Sequence, residues 1–97
     1  MIRAIPVAWT LPRETKEWVG PITTKANGVA VTNFKVALMI ETARPVVSDW
    51  LDPVPDGTDL GVIAGPNLPI GRYKVWVKYS TALEDVVLDD VGIVDIT

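Results

Sequence analysis

Cysteine is absent from the 97 residues, and so is histidine. The first absence excludes a disulfide framework, a thiolate metal site and a cysteine nucleophile. The second removes the usual general base at neutral pH and the commonest zinc ligand, and with them most hydrolase and metalloenzyme readings. No apolar run approaches the roughly 18–20 residues that cross a membrane. The opening segment Met1-Ile2-Arg3-Ala4-Ile5-Pro6 has no apolar stretch long enough for a signal peptide, so export by those routes is not expected. Cations are also in the minority, nine Lys and Arg against twelve Asp and Glu, for a formal charge of -3. Nucleic-acid binding rests on an excess of cations that neutralise phosphates, and that partner is disfavoured.

What remains is the composition of a folded domain, 48% hydrophobic and 22% charged, in a length that holds one core and not two. Charge is unevenly divided: residues 1–48 carry six basic and three acidic groups, residues 49–97 three basic and nine acidic. Such polarity would suit head-to-tail contact between copies. The plainer account is that acidic turns happen to fall late in the chain.

The strongest signal is a hydrophobic period of two. From Thr32 to Glu41, Phe34, Val36, Leu38 and Ile40 share one face and Asn33, Lys35, Ala37, Met39 and Glu41 the other, the pattern of a half-buried strand. From Arg72 to Ser80 the same alternation turns Tyr73, Val75, Val77 and Tyr79 inward and Arg72, Lys74, Trp76, Lys78 and Ser80 outward. Asn27-Gly28 tolerates positive φ and predicts a tight type I′ hairpin between Ile22–Ala26 and Val29–Val31. Thr15–Val19 reads as extended, with Trp18 and Ile22 on one face across Gly20-Pro21, where the missing N–H implies an edge or a bulge. Shorter extended pieces are expected at Val47–Leu51, Leu60–Ala64, Val86–Leu88 and Val91–Ile96, with Asp89-Asp90 interrupting the last pair.

Eight prolines and seven glycines cluster between these pieces, notably in Asp52–Gly57 and Gly65–Gly71, as turn chemistry. No long stretch keeps a 3.6-residue period free of Gly and Pro, and Thr81–Glu84 could support one helical turn at most. About seven short strands in a chain of this size predict an all-β fold, a single antiparallel β-sandwich whose two inner faces supply the core. Residues 13–97 form that domain, and residues 1–12 are either an extended N-terminal arm or its first edge strand, with Pro6 marking the edge.

Four tryptophans, Trp9, Trp18, Trp50 and Trp76, are many for this length. Trp18 is expected to anchor the core. Trp76 is forced outward by the pleat, between Lys74 and Lys78, and two readings stand. It is an interface anchor or sugar-stacking platform, with Trp50 as a possible companion, or it lies across its own neighbouring strand under lysine stems. The acidic residues Asp49, Asp52, Asp56 and Asp59, and Glu84, Asp85, Asp89 and Asp90, lack the alternate spacing of a calcium loop, so no metal is expected. Lys78 and Ser80 share a strand face, but nothing supplies an oxyanion hole or a buried lysine. No phosphate-binding glycine motif is present, since Gly65–Gly71 lacks the Lys-Ser/Thr ending. Enzyme is the weakest functional class, and no cofactor is expected.

The segment Gly71-Arg72-Tyr73-Lys74-Val75-Trp76-Val77-Lys78-Tyr79, after a Pro-rich loop and before a short closing strand, resembles the penultimate strand of immunoglobulin-like domains. The resemblance implies that Tyr73 stands at the sheet corner, its ring in the core and its hydroxyl on backbone. With no cysteine pair, a fibronectin-like or phage-type sandwich is the better comparison. Over most of its length the chain also resembles small virion proteins of tailed bacteriophages, especially those infecting actinobacteria. The features are the arm Ile2–Pro12, the Arg-x-Thr-x-x-Trp segment at Arg13–Trp18, the Asn-Gly hairpin and the Tyr-x-Val-Trp-Val strand. This implies a non-enzymatic structural protein of the virion, assembled in the host cytoplasm, a capsid-decorating or minor capsid component with a tail or connector protein as the alternative. Its partners would be neighbouring capsid or tail subunits, with possible self-association, and no nucleic acid or membrane. The interface candidates are Trp76, Lys74, Lys78, Ile2, Ile5, Val7 and Trp9, and the structural residues are Tyr73, Trp18, Asn27 and Gly28. A carbohydrate- or receptor-binding module is the competing class.

Overall fold

A computed structural model describes residues 7–97 apart from 24, 27, 28, 32, 81 and 84, with the backbone alone at Val7, Lys25, Ala26, Val29, Ala30 and Asp90. Nine strands run in the order β1 (Val7–Leu11), β2 (Glu17–Val19), β3 (Lys25–Ala26), β4 (Val29–Ala30), β5 (Lys35–Ile40), β6 (Val54–Asp56), β7 (Asp59–Ala64), β8 (Gly71–Ser80) and β9 (Asp85–Ile96). Seven of them make two sheets, β1-β9-β8-β5 and β2-β7-β6, while β3 and β4 form a small ribbon. The chain is a β-sandwich.

The alternating pattern of β8 explains the core. Tyr73, Val75, Val77 and Tyr79 are buried on its inner side, with Val36 of β5, Val94 and Ile96 of β9 and Leu11 of β1. Val19, Val62 and Ala64 meet them from the second sheet, and Ile22 and Phe34 complete the cluster. Tyr73 stands at the corner as the resemblance implies: its ring is buried and its hydroxyl donates to the Pro69 carbonyl at 2.8 Å. Gly65, at φ +83, is held against the Thr15 carbonyl where no Cβ fits.

The structure departs from the sequence pattern in several places. The sheets are not wholly antiparallel, because β1 pairs parallel with β9 in the register Val7↔Gly92 to Leu11↔Ile96. The first strand meets the last one, a long-range contact that local periodicity does not report. Residues 7–11 of the N-terminal segment are therefore an edge strand. Asp89-Asp90 does not end a strand. Instead β9 slips register, so that Val75 pairs with Gly92 and Val77 with Leu88, and the single residue Trp76 faces Asp89, Asp90 and Val91. Val47–Leu51 is a 3-10 turn at Val47–Asp49 rather than extended, because the Asp49 carboxylate accepts from the Val46 N–H at 2.8 Å. Only Leu51 keeps a strand-like bridge, to Val36. Within the expected turn 52–57, Val54–Asp56 is a strand, and Pro55 is tolerated there because β6 pairs on one side alone. Ala82 and Leu83 form a bend, while Thr81 and Glu84, the ends of the expected turn, lie outside the described residues.

Trp18 is corrected as well. It is half-buried and lies outside the inter-sheet cluster that holds Ile22. Its cross-strand partner is Ile63, while Val19 pairs with Val62 on the core face, so Trp18 sits on the outer face of the smaller sheet. The strand breaks at Gly20-Pro21, and alternation does not carry across to Ile22. The indole spans β7 over Gly61, where a Cβ would come to 2.5 Å, and its N–H donates to the Val54 carbonyl of β6 at 2.8 Å.

Two substitutions test these contacts. Tyr73→Phe is expected to lose about 1 kcal/mol, the ordinary net worth of one hydrogen bond. Gly61→Ala is expected to cost about 1–3 kcal/mol by driving both the Trp18 indole and the Val19 carbonyl away from β7. Urea unfolding should show both as lower midpoints, with Gly61→Ala also shifting tryptophan emission.

Candidate interaction surface

The outer face of the four-stranded sheet is set by the same pleat that builds the core. Its rows are Lys35, Ala37 and Met39 on β5, opposite Lys78, Trp76 and Lys74 on β8, and then Ile93 and Asp95 on β9 opposite Lys74 and Arg72. Trp76 is on this outer side, as its spacing predicts. It is nevertheless only 6% exposed, and its partner Ala37 is fully covered, although neither belongs to the inter-sheet cluster.

The cover comes from the chain between β5 and β6. The two backbone hydrogen bonds between Val36 and Leu51, at 2.9 and 2.8 Å, hold this connection along the β5 edge. Arg44 then stands over the Trp76 ring at 5.8 Å from its centroid, and Lys78 lies over the Trp50 ring at 4.9 Å. Lys35 pairs with Asp52 on the same connection. Among the described residues the buried Trp76 Nε1–H has no hydrogen-bond acceptor. Of the two placements open for this residue, the structure has the indole covered by its own chain.

The lysines flanking Trp76 are half-buried. Lys74 approaches Asp89 of the β9 bulge at 3.9 Å, and Lys78 is engaged by Trp50. Arg72 meets Asp95 through two contacts of 2.9 and 3.4 Å. The hydrogen bond that Arg72 donates to Asp95, with the carboxylate's charge, pushes the guanidinium further above its ordinary value. Such exposed pairs organise a surface and add little to stability. Ser80 Oγ donates to Asp85 at 2.5 Å, so Lys78 and Ser80 are each engaged elsewhere. A shallow groove of about 160 Å³ lies beside them, lined by Asn33, Phe34, Lys35, Lys78, Tyr79 and Ser80. Among the described residues no group of three or more carboxylates could hold a metal ion.

The remaining candidates are scattered. Trp9 packs against the inter-sheet core from β1, in register with Val94, so it faces inward instead of offering a free anchor. Val7 opens β1, and its side chain, like Ile2, Ile5, Asn27 and Gly28, lies outside the described residues. The pairs Lys25↔Ala30 and Ala26↔Val29 flank the Asn27-Gly28 position.

Among several exposed apolar side chains, one local group is a feature that periodicity missed. Val46, Val47 and Leu51 are 62%, 91% and 58% exposed around the Val47–Asp49 turn. Asp49 ties the turn into a fixed shape through its carboxylate and its own N–H, which donates to the Val46 carbonyl at 2.9 Å. The signal was an apolar pair between Pro45 and Ser48-Asp49, a composition that also fits a short strand. No protein-family model, curated protein or solved structure matches the chain.

Trp76→Ala is expected to lower stability by about 3 kcal/mol, as for a large buried aromatic. Denaturant unfolding checks this. An unchanged midpoint would mean that the indole is not packed by its own chain.

Proposed function

We propose that the chain is a non-enzymatic structural protein of a tailed-phage virion, binding neighbouring capsid subunits as a decoration or minor capsid component. The observation that carries the adhesive part of this reading is the Val47–Asp49 turn. A turn closed by the Asp49 carboxylate, with Leu51 just after it, leaves Val46, Val47 and Leu51 exposed to water. Burying them against a neighbour at roughly 25 cal/mol per Å² is favourable, and little ordering cost remains because the turn is already set. The virion setting comes from the resemblance in the arm, the Arg13–Trp18 segment and the Tyr73–Val77 strand. Placement in the tail or connector uses the same surface. The carbohydrate reading needs an open indole face, whereas Arg44 and Lys78 stand over Trp76 and Trp50.

The test uses particles of the phage that encodes the chain, purified by density gradient and probed for it. The triple variant Val46→Ser/Val47→Ser/Leu51→Ser should keep the wild-type melting temperature and lose particle association, each anchor contributing about 1–2 kcal/mol. A chain absent from wild-type particles overturns the virion reading. Undiminished incorporation of the variant overturns the role of the turn.

A further inference from the structure

We propose that the free edge of β1 pairs antiparallel with β1 of a second copy, joining two four-stranded sheets into one continuous sheet. Among the described residues the backbone of β1 is engaged on one side only. Thr97 donates to the Leu11 carbonyl at 2.9 Å and Arg13 to the Thr97 carbonyl at 3.2 Å, so the odd-numbered residues of this segment turn their amides toward β9. Strand alternation then aims the N–H and C=O groups of Ala8 and Thr10 away from the sheet.

The other described edges are blunted. The Val36–Leu51 bridge occupies part of the β5 edge, β6 has three residues with Pro55 at its centre, and β2 has three residues beginning with Glu17. By contrast β1 is five residues, Val-Ala-Trp-Thr-Leu, with no charge. An uncharged edge of this kind is a template for strand pairing.

The sequence of this edge selects a copy of itself as partner. In the two-fold register centred on Trp9, Ala8 lies opposite Thr10 of the second copy and Thr10 opposite Ala8 of the second copy. Both pairs exchange N–H···O=C bonds, and no like charges meet. Sliding the register by two residues either way leaves only one pair within the strand, Ala8 with Ala8 or Thr10 with Thr10, and carries the other residue past the strand's end. The partly buried Trp9 meets Trp9 of the second copy in the close, non-hydrogen-bonded pair, covering aromatic surface the monomer leaves open. A contact of one strand is small, so the association is weak and is felt most where many copies are held together. This inference does not rest on the virion reading: absence of the chain from particles would leave it standing.

The test is self-association of the purified chain by sedimentation velocity up to about 1 mM, the range suited to a contact this small. Amide hydrogen exchange is read over the same series. A dimer is expected, with the Ala8 and Thr10 amides slowing as concentration rises. The side chains of Ala8 and Thr10 are exposed, so Ala8→Lys/Thr10→Lys and Ala8→Glu/Thr10→Glu should keep the fold, checked by circular dichroism. The double-Lys variant should self-associate about tenfold or more weakly, since like charges then oppose each other twice. Mixing it with the double-Glu variant should restore a dimer. A chain monomeric throughout, exchange at Ala8 and Thr10 independent of concentration, or a double-Lys variant that dimerises like the wild type would each overturn the proposal.

Discussion

The inner row of β8, Tyr73, Val75, Val77 and Tyr79, is the constraint on which the other elements depend. The strand has neighbours on both sides, β5 in continuous register and β9 on either side of one slip, so its pleat cannot rotate or shift without breaking two ladders. Once that row faces the second sheet, Val36, Val94 and Ile96 are placed beside it, and Val19, Val62 and Ala64 close the layer from the other side. The Tyr73 hydroxyl on the Pro69 carbonyl ties the incoming loop to the base of the strand. Burying this row provides the driving force, and the ladders determine its direction.

The same constraint creates a problem on the opposite face. A pleat that sends Tyr73, Val75 and Val77 inward must send Trp76 outward, where a bare indole would remain wet. The chain resolves it with a local roof. Ala37 leaves room beside the ring, Arg44 stands over it, and the connection between β5 and β6 is held along the edge by Leu51. On the other flank β9 places Asp89, Asp90 and Val91 where one residue would suffice, and Val91 packs onto the core while Asp89 approaches Lys74. Trp18 shows the same device on the smaller sheet, where Gly61 makes room for the ring and Val54 accepts its N–H. Two of the four tryptophans thus lie flat on outer faces, and a third, Trp9, closes the mouth of the sandwich from within.

Covering Trp76 has a cost displaced to the covering segment. The connection that roofs the outer face turns through Val47–Asp49, and this turn carries its apolar side chains away from both sheets. Val46, Val47 and Leu51 are consequently exposed features of the surface. The uncharged β1 edge is a second such feature, at the opposite side of the four-stranded sheet. One offers side chains and the other backbone groups.

Local alternation was enough to assign the all-β class, β5 and β8, the inward side of each and the outward side of Trp76. Those properties depend on residues two apart, and a period of two is visible in any window of a few residues. The parallel pairing of β1 with β9, the slip opposite Trp76, the outer placement of Trp18 and the roof over Trp76 were out of reach. Each joins residues distant along the chain or turns on a break in alternation at Gly20-Pro21 or Asp89-Asp90. Val46 and Val47 illustrate the limit most directly. As an apolar pair they read as strand, and only the Asp49 carboxylate, returning to the Val46 N–H, folds them into an exposed turn. Periodicity reports which side of a strand is apolar, whereas what covers that side depends on segments brought to it from elsewhere by the fold.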